Sequence, residues 1–245
     1  MQAIKTLLKA ALPSQCVDWV RRFKSERHYR RYQSLTPEGI FTYIYRNRLW
    51  GGAEGDNFRS GTGSLALHSR DYEDFVAALG ERAGIRSILD IGCGDFQVAR
   101  RILDRLDPSV RYIGVDVVPD LIRHNQAKYG NACVSFTMPR AGEPYPDADL
   151  VTIRQVLQHN DNRSVAEILK RARHAGRWLV IAEHVPIAPK TPNLDIRTGH
   201  ETRIDLGSGL YVDAPPFDLP IEEAVTFPMD DGTVLRVTVS RFGGS

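Results

Sequence analysis

The hydrophobic pattern of this chain changes period several times, and the changes mark out its elements. Ser87–Ile91 opens a dense apolar run rich in β-formers, the pattern of a strand buried on both faces of a sheet. Gly92 and Gly94 follow at once. Gln97–Leu106 then shows helical spacing, with Val98, Ile102 and Leu106 on one face. The same alternation recurs downstream. Strands are predicted at Arg111–Asp116, Ala132–Thr137, Asp149–Ile153 and Arg177–Ala182, separated by helices at Leu121–Tyr129 and Asn162–His174. Asp71–Ala83 reads as an amphipathic helix leading into the first strand. Strands alternating with helices of this length predict an α/β, doubly wound, largely parallel sheet. The chain ends differently. Glu223–Pro228 and Thr233–Phe242 are β-branched-rich runs joined by Met229-Asp230-Asp231-Gly232, a hairpin signal.

Three segments do not follow the alternation. Ile4–Tyr32 has helical patterning and then turns basic, with Arg21, Arg22, Lys24, Arg27, Arg30 and Arg31 close together. Such a run is either a solvated helix face or a contact with an anionic surface, a membrane or a polyanionic glycan, for which Trp19, Phe23, Tyr29 and Tyr32 would be anchors. Pro37 is read as closing this leader. Gly39–Ser69 is too rich in glycine and aromatics for a plain helix and too aromatic for a linker. It reads as a loop packed on the domain or as a lid, with Ser60, Gly61, Gly63 and Ser64 offering hydroxyls and amides to a carboxylate. Val185–Pro220, rich in Pro, Asp and Gly, is a long insertion without clear period. The expected organisation is a basic helical leader at 1–38, a cap or lid at 39–70, and a main domain at 71–245 containing the insertion 185–220.

Composition narrows the class. The 245 residues suffice for one large domain with a cap, and 42% hydrophobic and 25% charged residues are ordinary for a globular chain. A net charge of +2 gives no overall field for nucleic acid. Cys16, Cys93 and Cys133 are odd in number and lack metal spacing, so a reduced, cytoplasmic compartment is the simplest reading. No run reaches the ~18 apolar residues of a membrane span. Met1–Leu12 is too short in its apolar part for a secretory signal.

Strand, glycine turn and helix is the layout that brings a nucleotide-like ligand against backbone amides. Asp90 ends the first strand, and Asp116 ends the next, placed to accept hydrogen bonds from ribose hydroxyls. A dinucleotide fingerprint would want a third glycine where this chain has Gln97. On these residues the chain resembles the class I S-adenosylmethionine-dependent methyltransferases. Leu-Asp-Ile-Gly-Cys-Gly-Asp resembles their first motif, Tyr-Ile-Gly-Val-Asp their second, and Arg154-Gln155-Val156-Leu157-Gln158-His159-Asn160 their fourth. The aromatic and glycine-serine segment before the first motif resembles a bacterial subgroup associated with glycan or polysaccharide modification.

The resemblance implies a seven-stranded Rossmann-like methyltransferase sheet ending in an antiparallel hairpin, with S-adenosyl-L-methionine as cofactor. It implies that Asp90, Gly92, Gly94, Asp95, Phe96, Asp116, Val117, Met138, Arg154, Gln155, Trp50, Ser60, Gly61, Gly63 and Ser64 bind that cofactor. Many such enzymes carry an acid after the third strand for the adenine amino group. Here stands Thr137-Met138-Pro139, so backbone groups or Asp95 and Phe96 would serve. Asn193, Asp195, Thr198 and Asp205 in the insertion would bind the acceptor.

Methyl transfer to a sugar hydroxyl calls for a general base, and histidine suits that at neutral pH. His184, His159 and His200 are the candidates. His184 is taken first, because the fifth strand fixes its place. A divalent metal is not demanded by any spacing. The expected function is O-methylation of a sugar or glycan intermediate. The alternatives are O- or N-methylation of a small metabolite or lipid-linked precursor, with peripheral membrane contact through the leader, or a non-catalytic cofactor-binding partner.

Overall fold

The computed structural model describes residues 25–51, 58–189, 191–229 and 232–242. Most of the leader, the tip of the lid and the centre of the terminal turn lie outside them, with the expectations placed there: Trp19, Arg21, Arg22, Phe23, Lys24 and Asp230-Asp231.

Seven strands form one sheet in the order β3-β2-β1-β4-β5-β7-β6. They are β1 Ser87–Ile91, β2 Arg111–Val115, β3 Val134–Thr137, β4 Ala148–Arg154, β5 Gly176–Pro186, β6 Glu223–Pro228 and β7 Thr233–Arg241. The first five are parallel, while β7 runs antiparallel between β5 and β6. This is the expected α/β, Rossmann-like methyltransferase architecture. The chain leaves β1 toward β2 on one side and returns to β4 on the other. The crevice at the C-terminal ends of β1 and β4 is therefore the switch point where open α/β sheets bind ligands.

Ile88, Leu89 and Ile91 of β1 are all buried because helices cover both faces. On one face, helix α3 (Ala66–Arg82) and helix α4 (Gln97–Leu103) bring Tyr72, Val76, Leu79, Ala99 and Ile102 onto Ile88 and Tyr112. On the other, helix α6 (Asn162–Ala172) buries Val165, Leu169 and Ala172 against Leu89, Val151, Ile153 and Leu179. Asp161 caps α6 by accepting from Ser164 N at 2.7 Å. Helix α5 (Pro119–Tyr129) follows β2.

Two sequence-based expectations are corrected. Pro37 follows the end of the first described helix and opens the next one. Helix α2 (Pro37–Arg46) has Thr36 as its cap, accepting from Gly39 N at 3.3 Å, and proline in its first turn. The aromatics of the cap segment therefore ride on a helix: Ile40, Ile44 and Tyr45 are buried, and Phe41 and Tyr43 pack beside them. Its helical spacing was obscured because apolar residues also occupy the other faces, which are covered by helix α1 (25–32) and by the loop after α2. Finally, β5 extends to Pro186, so Glu183 and His184 lie inside a strand held by β7 rather than beyond its end.

Among the described residues, no helix is long and apolar enough to cross a membrane.

Candidate active site

A cavity of about 1260 Å³ opens at the C-terminal ends of β1, β2 and β4 and runs beneath the cap. Pockets for one small ligand are typically some 300–1,000 Å³, so this one has room for two. It divides by lining into a half against the glycine turn and a half against the cap and the 197–202 loop.

In the first half, Gly92, Cys93, Gly94 and Asp95 form the turn between β1 and α4. Gly92 has φ +76° and Gly94 φ +52°, which glycine adopts without strain. A Cβ on Gly92 would lie 2.2 Å from Val156 Cγ2, and one on Gly94 2.5 Å from Ser60 Oγ. The glycines are thus required by the protein's own packing, before any ligand is considered. Asp116 accepts from Gly94 N at 3.2 Å and Val118 N at 3.1 Å, and burial pushes its carboxyl up to about 6. Asp90 accepts from the Tyr112 hydroxyl and the Thr152 hydroxyl, each at 2.8 Å, and burial raises it too. At neutral pH Asp116 is an anion with lone pairs still available at the end of β2.

The lid closes this half. Ser60 N donates to Asp95 Oδ2 at 3.3 Å and Asp95 N donates to Ser60 Oγ at 2.9 Å. Arg154 donates to Gly63 O at 2.6 Å, while its buried Nε has no hydrogen-bond partner among the described residues. Gln155 stands at φ +52°, a left-handed conformation uncommon for a side-chain-bearing residue, and presses its amide against Gly63. A cationic side chain with one N–H left over, an ionised acid and a glycine turn in one crevice fit a ligand with an anionic tail at one end and a ribose at the other.

The second half is lined by Tyr29, Ile40, Phe41, Trp50, His159, Thr198 and His200. The Trp50 and His159 rings stand 4.9 Å apart, and Trp50 Nε1 donates to His200 O at 3.2 Å. Tyr32 binds His200 Nδ1 through its hydroxyl at 2.7 Å. His159 is oriented by its neighbours. Its Nδ1 lies 3.2 Å from Glu201 O, and a carbonyl only accepts, so the proton is on Nδ1. Its Nε2 is therefore the lone pair, 3.3 Å from Gln158 Nε2. The Gln158 amide is turned that way because its oxygen accepts from His184 N at 3.2 Å. Burial pushes His159 down to about 4, so it is neutral at physiological pH.

Most expected cofactor residues come together here: Asp90, Gly92, Gly94, Asp95, Asp116, Val117, Arg154, Gln155, Trp50, Ser60, Gly61, Gly63 and Ser64 line the cavity. Two do not. Phe96, at φ +64°, turns its ring into the core among Tyr112, Tyr129 and Phe136, with centroids 5.0–5.1 Å away. Met138 packs against that same core.

Of the acceptor candidates only Thr198 reaches the cavity, donating to Asp161 Oδ2 at 2.8 Å. Asn193 is buried and braces the insertion, accepting from Tyr211 N and donating to Tyr211 O, both at 2.8 Å. Asp195 accepts from Asn162 N at the start of α6, and Asp205 is exposed. Polar residues without period gave no way to tell bracing from binding. His184, first among the histidines, lines the cavity, but its Nε2 is bonded to Thr233 Oγ1 across β5 and β7.

Arg203 and Tyr45 were not foreseen, and Glu183, expected at the rim of the sheet, takes another place. Glu183 is buried beneath the β4 exit, where Val156, Leu157 and Gln158 N–H groups donate to its carboxylate and burial raises it to about 7. Arg203, only 1% exposed, donates to the carbonyls of Leu157, Gln158, Asn160 and Leu194 and to Asn162 Oδ1. Tyr45 lies between the lid and Trp50. Arg203 and Tyr45 had no local signal, since each acts through contacts distant in sequence.

Residues 89–177 match the family model described as a methyltransferase domain. No curated protein matches the chain in sequence. Among solved structures, the chain is similar to the N-methyltransferase NodS from Bradyrhizobium japonicum in complex with S-adenosyl-L-homocysteine. That match has 17% identity, covers 82% of this chain and 97% of that one, and has a TM-score of 0.57. It is similar also to the magnesium protoporphyrin IX methyltransferase of Synechocystis with bound S-adenosylmethionine, at 16% identity, 84% and 97% coverage and a TM-score of 0.52. Against an O-methyltransferase family protein from Burkholderia thailandensis (18% identity, TM-score 0.48) it covers 73% of its own length and spans 58% of the other's. At these identities the first two likenesses establish the fold. The glycine turn and its two acids fall within the matched residues, and residues 89–177 carry a methyltransferase domain.

Proposed function

We propose that this protein methylates a hydroxyl of a sugar or glycan intermediate, with His159 as the general base. The observation that carries this reading is the fixed tautomer of His159: Nδ1–H is spent on Glu201 O, leaving the Nε2 lone pair in the acceptor half of the cavity. When bound, S-adenosylmethionine supplies an electrophilic methyl group on a sulfonium. The chain's own residues do the rest. Asp90, Asp116 and Val117 would hold the nucleoside, and Arg154 with Ser60, Gly61, Gly63 and Ser64 would hold the carboxylate tail. Trp50 excludes water from the space above His159 and offers a flat face, with Tyr29 and Phe41 nearby, to the C–H surface of a sugar ring. His159 accepts the hydroxyl proton at Nε2 as the new C–O bond forms, displacing the Gln158 amide. Because its protonated form is disfavoured by burial, it releases that proton readily for the next turnover.

The test is methyl incorporation from labelled S-adenosylmethionine into a panel of nucleotide sugars and glycan fragments. His159→Gln should lower kcat by roughly 10²–10⁴-fold, with S-adenosylhomocysteine binding kept. His184→Gln should have a far smaller effect. A full-rate His159→Gln enzyme overturns the base assignment.

The cap side of the cavity favours one variant of the acceptor. Leu35, Pro37, Ile40, Phe41 and Leu49 make its wall apolar, and Leu35 is 43% exposed. That wall suits a lipid-linked precursor. Faster methylation of a lipid-linked sugar than of its water-soluble counterpart would select this variant, and equal rates would reject it.

A further inference from the structure

We propose that Tyr45 is a positioning residue: it passes occupancy of the glycine turn to the acceptor half of the cavity by setting Trp50 against His159. The inference deepens the methyltransferase reading above and rests on it.

Ser60 lies directly across the turn. It exchanges hydrogen bonds with Asp95 in both directions, and its Oγ fills the space a Gly94 side chain would take. The Tyr45 hydroxyl meets that same Oγ at 2.9 Å. Ser60 Oγ already accepts from Asp95 N, so any change in the Asp95 bonds changes what Ser60 offers Tyr45. The Tyr45 ring is buried against Val118 and Leu121, at the start of the helix that follows Asp116. Its other neighbour is Trp50, met edge-on at 5.3 Å and 84°. Trp50 in turn packs on Phe41 and His159 and donates to His200 O.

Tyr45 thus touches the cofactor half through its hydroxyl and the acceptor half through its ring. A ligand that engages Asp95 shifts Ser60, and a buried ring fixed at one end transmits the shift to the indole, because packed aromatics leave little slack. Trp50 is the cover of His159, so the acceptor half takes its shape from the state of the cofactor half.

The experiment titrates S-adenosylhomocysteine into the full chain, following tryptophan emission alongside calorimetric heat. Wild type should show a saturable emission change with the midpoint of the heat curve. Trp50→Phe should remove it, assigning the signal to Trp50 rather than Trp19 or Trp178. Tyr45→Phe keeps the ring and drops the hydroxyl. It should bind with less than roughly tenfold loss of affinity, about 1.4 kcal/mol, and lose most of the emission change. Ser60→Ala cuts the same bond from the other side, together with the Asp95 N bond, and at saturating ligand should likewise lose most of the emission change, which covers a Tyr45 variant that folds poorly. An undiminished Trp50 signal in Tyr45→Phe or Ser60→Ala overturns the relay. Heat without any Trp50 signal in wild type overturns it too, while leaving the cofactor assignment intact. No heat at all in wild type would instead remove the methyltransferase reading on which it stands.

Discussion

Burial pushes the Glu183 carboxyl up to about 7 even though three backbone N–H groups donate to it, so desolvation outweighs those bonds. The folded protein then holds this proton more tightly than the unfolded chain, where a glutamate titrates near 4.3. The associated stability is full below that value and is lost as pH rises through about 7. His159 acts in the opposite sense. Its value of about 4 lies below the unfolded value of roughly 6.5, so its contribution is full above that and is lost as pH falls toward 4. Between about pH 6.5 and 8 the Glu183 effect is the larger one remaining, with a smaller one of the same sign from Asp116. The melting temperature should decline across that window, and Glu183→Gln should flatten the decline while lowering stability by about 1–3 kcal/mol through a mismatched acceptor. Asp116 sets a second pH effect. Raised to about 6, it is ionised at neutrality, and S-adenosylhomocysteine affinity measured by calorimetry should weaken as pH drops below that value. Asp116→Asn should bind weakly and lose the pH dependence.

At the level of elements, the site depends on two irregular segments held in place by buried polar groups. The 3₁₀ turn Leu157–His159 is gripped from below by Glu183 and from the side by Arg203. Arg203 ties that turn and the start of α6 to the insertion with five hydrogen bonds, and it can make them only while fully buried. Replacing it with methionine keeps bulk but strands several carbonyls. The expected cost is about 3–5 kcal/mol in urea unfolding, with faster amide exchange over 193–209 than in β1 or β4. The strands and glycine turn were legible because a run such as Ile88-Leu89-Asp90-Ile91-Gly92 has few other local solutions. Helix α2 was misread because its pattern blends two buried faces. The end of β5 was misjudged because Glu183 and His184 look like rim residues until β7 pairs with them.

Taken whole, the molecule shares one cavity between the sheet and its cap, so ligand binding and global stability are linked. A ligand at about 100 times its Kd stabilises the folded state by about 2.7 kcal/mol, which for a chain of this size is a rise in melting temperature of roughly 5–10 °C. S-adenosylhomocysteine should produce such a rise in wild type and much less of one in Asp116→Asn. Leader helix, cap and sheet should melt in one transition, since Tyr29 and Tyr32 pack directly on Gly199 and His200 of the insertion and Ser60 of the cap is bonded to Asp95.

The sequence by itself determined the sheet, the glycine turn, the two acids at strand ends and the terminal hairpin. Each follows from patterns a few residues long, in which burial, φ and chain direction are settled locally. Only the tertiary structure decided which partners fix each histidine, which acids brace the fold and which line the cavity. Those outcomes depend on partners far away in the chain, such as Thr233 for His184, Glu201 for His159 and Tyr45 for Ser60, and no local pattern encodes who meets whom.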